Sequence, residues 1–279
     1  MGRQNEYANP FILERADPFM IKADDGWYYF TASYPMKRGD DPEGYDRVIL
    51  RRSKTVAGLR EAEEITIWKA GEKTKTHRFI WAPELHYIGG SWYIFYAGSS
   101  DPENNWAFDC NVLVCDSQDP YTGNWTEKGK FQKTEGDTFS FTGFSLDMTY
   151  FEASGKHYVI WAQHSEVKIS CLYMAQIDPA EPWKIITKPM LLTTPEYDWE
   201  KVRYAVNEGP AVLKHEGKIF VCFSASGTGP EYCVGALEAD ENANLLDIKS
   251  WTKFDRPLLT SDDLVDEYGP GHNSFTKDE

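Results

Sequence analysis

Trp81-Ala82-Pro83-Glu84-Leu85-His86-Tyr87-Ile88-Gly89-Gly90-Ser91-Trp92-Tyr93-Ile94-Phe95-Tyr96 reads as a β-hairpin: a strand opened by a Pro-Glu step, a Gly-Gly turn, and an answering strand rich in aromatics. Aromatic and β-branched residues suit a pleated, half-buried surface, and paired glycines suit a tight turn between strands. The arrangement recurs. Arg15-Ala16-Asp17-Pro18-Phe19 leads into Asp25-Gly26-Trp27-Tyr28-Tyr29-Phe30, and Ser145-Leu146-Asp147-Met148 into Gly155-Lys156-His157-Tyr158-Val159-Ile160-Trp161. Asn207-Glu208-Gly209-Pro210 leads into Glu216-Gly217-Lys218-Ile219-Phe220-Val221-Cys222-Phe223, and Gly269-Pro270-Gly271-His272-Asn273 starts a fifth unit. From Asp17 through Glu84, Asp147 and Glu208 to His272 the spacings are 67, 63, 61 and 64 residues.

Hairpin units recurring at such a period are what a propeller is built from. The expected fold is therefore all-β, a five-bladed β-propeller forming one catalytic domain over residues 1–279. Five full blades at this period need roughly 320 residues, so the fifth is expected to be incomplete at the C-terminus. An open ring exposes unpaired strand edges, which predicts lower stability or edge association into a homo-oligomer. Val48 to Ser53, Asn111 to Cys115 and Ser170 to Met174 read as third strands, and Leu59 to Ile67 as a turn of helix.

Lys and Arg total 29 against 44 Asp and Glu, a net charge of −15. That balance argues against nucleic acid or an anionic membrane as partner, since both select basic surfaces. No stretch approaches the roughly 20 apolar residues of a membrane span. Met1-Gly2-Arg3-Gln4-Asn5-Glu6 lacks the apolar core of a signal peptide, so the chain reads as cytoplasmic. Cys110, Cys115, Cys171, Cys222 and Cys233 are odd in number and scattered through strand-like runs, which suits free buried thiols better than disulfides.

The strand openings carry the chemistry. A carboxylate embedded in an apolar strand is costly unless paired, hydrogen-bonded or functional. One such Asp commonly just caps a turn; Asp17, Asp147 and Glu208 in register point instead to a shared site on the axis. Hydrolysis of a glycosidic bond needs one carboxyl as general acid and another as base or nucleophile. A third nearby carboxylate would raise the acid's pKa by like-charge repulsion.

Ala16-Asp17-Pro18, Ser145-Leu146-Asp147 and Asn207-Glu208-Gly209-Pro210, with Trp81-Ala82-Pro83-Glu84-Leu85-His86 and Gly271-His272-Asn273-Ser274-Phe275, resemble the blade signatures of glycoside hydrolase family 43 from about residue 9 onward. The resemblance implies an inverting glycosidase in which Asp17 is the base, Glu208 the acid and Asp147 the residue that holds Glu208 protonated and oriented. Inversion would place base and acid about 6.5–9.5 Å apart, with room for a water. It also implies an exo-acting α-L-arabinofuranosidase on arabinose-containing poly- or oligosaccharides, with a β-xylosidase on xylose-containing ones as the alternative. A carbohydrate-binding propeller without turnover is the reading from another class.

Trp81, Phe144 and Arg203 are the substrate-binding candidates, each weighed against ordinary packing or surface roles. Glu84 is expected to be structural, a partner for Arg15 or Arg203. The resemblance implies a calcium ion or water cluster beside His272, the one metal candidate, while the chemistry itself needs no cofactor. His86 and His164 have no register argument. The polar, aromatic loops at 101–109 and 195–203 are where specificity would reside.

Overall fold

Alternation along each strand decides which residues face which neighbour, and that pattern assembles the molecule. The computed structural model describes residues 7–35, 44–101, 103–104 and 106–277. Four antiparallel sheets follow one another along the chain. The first holds β1 (Ala16–Lys22), β2 (Tyr28–Ser33), β3 (Arg47–Ser53) and β4 (Ile65–Lys69); the second, β5 (Arg78–Ile88), β6 (Ser91–Ser99), β7 (Phe108–Cys115) and β8 (Trp125–Lys130). The third holds β9 (Ser145–Ala153), β10 (Lys156–His164) and β11 (Ser170–Asp178), with β12 (Glu181–Ile185) and β13 (Met190–Thr193) both on its outer edge. β14 (Asn207–His215), β15 (Lys218–Ala225), β16 (Cys233–Asp240) and β17 (Thr252–Lys253) form the fourth.

Successive side chains point to opposite faces of a sheet, and here each face meets a different blade. On β10, Val159 and Trp161 pack with Phe95 and Val112 of the second sheet, whereas Tyr158, Ile160 and Ala162 pack with Val221 and Phe223 of the fourth. Tyr29, Val48 and Leu50 of the first sheet meet Leu85, Ile94 and Leu113 of the second. The architecture is an all-β propeller with four sheets among the described residues. The outer faces of the first and fourth sheets are covered by non-strand segments. Tyr7, Phe11 and Ile12 pack on Tyr28, Phe30 and Ile49, and Phe254 and Leu259 pack on Cys222 and Val234. A fifth sheet is absent among the described residues, so the five-blade expectation is met only as far as the propeller itself.

The helix expected over Leu59 to Ile67 is not formed. Ala57–Leu59 makes one 3₁₀ turn, and Ile65 and Ile67 enter β4, where Ile65 pairs with Leu50. Ile and Thr at alternating positions suit a strand edge better than a helix. All five cysteines are buried and free, as expected.

The innermost strands share one irregularity. In β1, β5, β9 and β14 two residues oppose one on the neighbouring strand: Asp17-Pro18, Ala82-Pro83, Asp147-Met148 and Gly209-Pro210. The first residue of each bulge has positive φ, 51° at Asp17, 45° at Ala82, 53° at Asp147 and 52° at Gly209. Bulges of this kind bend a strand and re-aim its side chains, and left-handed non-glycine residues are held only where the surroundings enforce them. His272, at φ 46°, continues the series outside any named strand. The equivalent residues are thus Asp17, Ala82, Asp147, Gly209 and His272. Glu208 precedes its bulge and Glu84 follows its own, a correction to the register taken from spacing alone.

Candidate functional site

The bulges bring their side chains together at one end of the axis. His272 Nδ1 lies 3.3 Å from Asp17 Oδ1 and 4.0 Å from Asp147 Oδ2. The backbone N–H of Gly209 donates to Asp147 Oδ2 at 3.0 Å, which seats Glu208, the preceding residue, beside Asp147. Gly209 suits this approach: a Cβ would stand 3.2 Å from both Cγ and Nδ1 of His272, so the imidazole would have to shift, on a backbone already in the left-handed region. Asp17, Asp147 and Glu208 therefore meet around one imidazole, although 61 or more residues separate any two of them in the chain.

Each is supported from behind. The Ser33 hydroxyl donates to Asp17 Oδ2 at 2.5 Å and accepts from the Ala82 N–H at 2.7 Å, linking the first two bulges. Tyr232 donates its hydroxyl to Glu208 Oε1 at 2.8 Å, and the His272 N–H donates to Ser224 Oγ at 2.6 Å. Asn207, fully buried, donates to Glu200 Oε1 at 2.9 Å, and Lys253 reaches the same oxygen at 2.6 Å. That buried ion pair anchors the start of β14 and with it the position of Glu208. Spacing and residue type gave no signal for Ser33, Ser224 or Tyr232, because a contact partner on a neighbouring strand leaves no mark on the period.

Electrostatics follow from burial. Loss of water pushes the Asp147 carboxyl up to about 7, Glu208 and Asp17 push the same way, and His272 and the Gly209 N–H oppose them. Burial also raises Glu208, against the Tyr232 hydrogen bond and His272. For His272 burial disfavours the charged ring, but the surrounding carboxylates Asp17, Asp147, Glu208 and Glu84 outweigh it and raise its pKa. The cluster thus retains protons near neutrality, and its titration belongs to the group rather than to one residue.

The aromatic candidates sit between the second and third sheets. Trp81, adjacent to the Ala82 bulge, stacks on Phe108 with ring centroids 4.3 Å apart; Phe144 stacks on His164 at 4.3 Å and meets Phe108 edge-on at 5.5 Å. Trp106, in the loop before β7, is 68% exposed and lies 6.4 Å from Phe144. Arg203 does not touch the carboxylates. Its side chain is largely exposed and its guanidinium lies 3.8 Å from Glu231, the neighbour of Tyr232.

Glu84 takes neither expected partner. It meets His86 Nε2 at 2.9 Å, while Arg15 pairs with Glu64 and Arg203 with Glu231. Glu84 and His86 line a cavity of about 300 Å³ farther along the axis, with Thr149, Tyr150, Ala211 and Phe275. The donors do not fit a calcium ion held by side chains. Calcium takes six to eight oxygen ligands, whereas His272 Nδ1 faces two carboxylates as an ion-pair partner, and no three His, Cys, Asp or Glu among the described residues converge as a metal set. No helix among the described residues is long and apolar enough to cross a membrane.

Residues 7–279 match the sequence profile of the Glycosyl hydrolases family 43. An extracellular exo-α-(1→5)-L-arabinofuranosidase of Streptomyces chartreusis is 43% identical over 98% of this chain and 79% of its own length. One of the same name from Streptomyces avermitilis is 42% identical over 98% of this chain, which spans about half (54%) of it. The crystal structure of an α-L-arabinofuranosidase from Lactobacillus brevis is 41% identical and superposes with a TM-score of 0.87, covering 98% of this chain and 82% of that one. Both Streptomyces relatives are named extracellular, which overturns the cytoplasmic expectation. That expectation rested on the polarity of residues 1–6, which carries no information on export.

Proposed function

The chain belongs to glycosyl hydrolases family 43, and from that premise we propose that it is an inverting, exo-acting α-L-arabinofuranosidase on arabinose-containing oligo- or polysaccharides. The carrying observation is the meeting of Asp17, Asp147 and Glu208 around His272 at one end of the axis. The names of the Streptomyces and Lactobacillus relatives support the sugar.

In this reading Asp17, bonded to Ser33, takes a proton from a water whose oxygen attacks the anomeric carbon on the face opposite the leaving group. Glu208 gives its proton to the glycosidic oxygen as that bond breaks, so arabinose leaves with inverted configuration and the shortened chain leaves with its hydroxyl restored. A proton then passes from Asp17 through solvent and Glu208 is recharged. Burial favours the protonated acid that this role needs. Asp147 holds the Gly209 N–H and so orients Glu208, the residue before it. Trp81 and Phe144 supply an aromatic wall, and Arg203, beside Glu231, a cation for a sugar hydroxyl. The chemistry uses carboxyls and water alone.

One domain carries this site, and we read it as a five-blade ring whose fifth repeat opens at His272. The left-handed His272 at the bulge position, and the apolar cavity of about 520 Å³ on the outer face of the fourth sheet, support that reading.

The test is hydrolysis of 4-nitrophenyl α-L-arabinofuranoside and 4-nitrophenyl β-D-xylopyranoside by the chain and by Glu208→Gln, with the anomer of the released sugar followed by NMR. Release from the arabinoside with inversion, and its loss with an arabino-oligosaccharide in the variant, is expected. Preference for the xyloside, a retained anomer or an unaffected variant would refute the assignment.

A further inference from the structure

Tyr232 precedes β16 and reaches the site from behind Glu208. Its side chain is buried at 8% exposure, and its hydroxyl donates to Glu208 Oε1 at 2.8 Å. The ring passes over Gly271, where a Cβ would stand 2.1 Å from Cε1. The Ser224 hydroxyl accepts from the His272 N–H at 2.6 Å, and a Cβ at Gly271 would stand 3.0 Å from its Oγ. The Tyr232 ring thus packs directly on the segment carrying His272, and its hydroxyl holds one oxygen of Glu208.

We infer that Tyr232 is a positioning residue for the proton donor, its hydroxyl fixing Glu208 Oε1 so that Oε2 carries and delivers the proton to the glycosidic oxygen. This deepens the reading of Glu208 as the acid and rests on it. The phenol donates to Oε1 and keeps its proton to do so, because burial and the neighbouring carboxylates raise it well above the ordinary phenol range. The bond favours the ionised carboxylate and so opposes the burial that raises Glu208. The other charged groups facing Glu208 are Asp17 from β1, Asp147 from β9 and His272 from the C-terminal segment. Tyr232 differs from them in carrying no charge and in making a directional bond to one oxygen.

The experiment compares Tyr232→Phe, which keeps the ring over Gly271, with the parent chain on two substrates. One is 4-nitrophenyl α-L-arabinofuranoside, whose leaving group departs without protonation; the other is an α-1,5-linked arabino-oligosaccharide, whose leaving group requires it. The expected result is a loss of about 100-fold in kcat on the oligosaccharide with KM little changed, and only a few-fold loss on the nitrophenyl glycoside. The alkaline limb of the kcat/KM profile should move up by about one pH unit, since a hydrogen bond favouring the carboxylate is gone. Equal losses on both substrates, or an unmoved limb, overturn the inference. Glu208→Gln on the same pair separates the two levels: if it too loses both equally, the acid assignment falls and this inference with it. 3-Fluorotyrosine at position 232, a stronger donor of nearly the same shape, is expected to move the limb downward, and an upward or absent shift overturns the inference independently of Tyr232→Phe.

Discussion

Replacing Asp147 by Asn should stabilise the fold while stopping the reaction, and the gain should grow with pH. Asp147 is buried, and its carboxyl is held at about 7 against an ordinary 3.8, chiefly by burial and by Glu208 and Asp17. Across that window the folded chain keeps a proton that the unfolded chain has lost. Stability from this group is therefore greatest at low pH, falls as pH rises towards 7, and is level above. Each pH unit is worth about 1.4 kcal/mol for one proton, so the decline from pH 5 to pH 7 is at most about 3 kcal/mol. Glu208 and His272 absorb part of any change in charge, and about 1–3 kcal/mol is the expected gain of the variant relative to the parent over that interval. Asn keeps an oxygen for the Gly209 N–H. His272, whose raised pKa also confers stability that is lost as pH rises through its folded value, leaves a smaller slope of the same sign in the variant. Urea unfolding followed by tryptophan fluorescence at pH 5, 6, 7 and 8 measures the difference directly. A variant whose advantage is flat with pH, or shrinks as pH rises, would refute the reasoning.

Gly271→Ala is expected to reduce turnover at least about 100-fold, because its Cβ would fall 2.1 Å from the Tyr232 ring and displace both Tyr232 and His272; steady-state kinetics on the arabino-oligosaccharide checks it. Ala82→Gly should raise stability by about 1 kcal/mol or less in urea unfolding, relieving a left-handed alanine at φ 45°, minus the added freedom of the unfolded chain. Trp106→Ala should raise KM for the oligosaccharide by about tenfold at nearly unchanged kcat, with stability altered by less than about 0.5 kcal/mol, since the ring is exposed beside Phe144.

Much of this was legible in the chain itself. The four hairpins lie where turn glycines and aromatic runs put them, and Asp17, Asp147 and Glu208, singled out by their strand openings, do converge. The period alone misread the register, however. The recurring element is a bulge whose first residue is left-handed, and that position is filled by Asp, Ala, Asp, Gly and His in turn. No common side chain marks it, so spacing drew Glu84 and Glu208 into line in place of Ala82 and Gly209. The partners of Glu84, Arg15 and Arg203 were likewise out of reach, because each is chosen by a strand or loop distant in sequence.

The sequence by itself determined the all-β repeat, its hairpins and the acidic residues at the strand openings, because alternation, turn chemistry and the cost of an embedded carboxylate are local in origin. Only the tertiary structure decided that His272 stands between two of those carboxylates, that Tyr232 grips the third, and that the proton is held by a cluster. Those outcomes depend on distances between blades, burial and the exclusion of water, which arise when the sheets pack around a common axis.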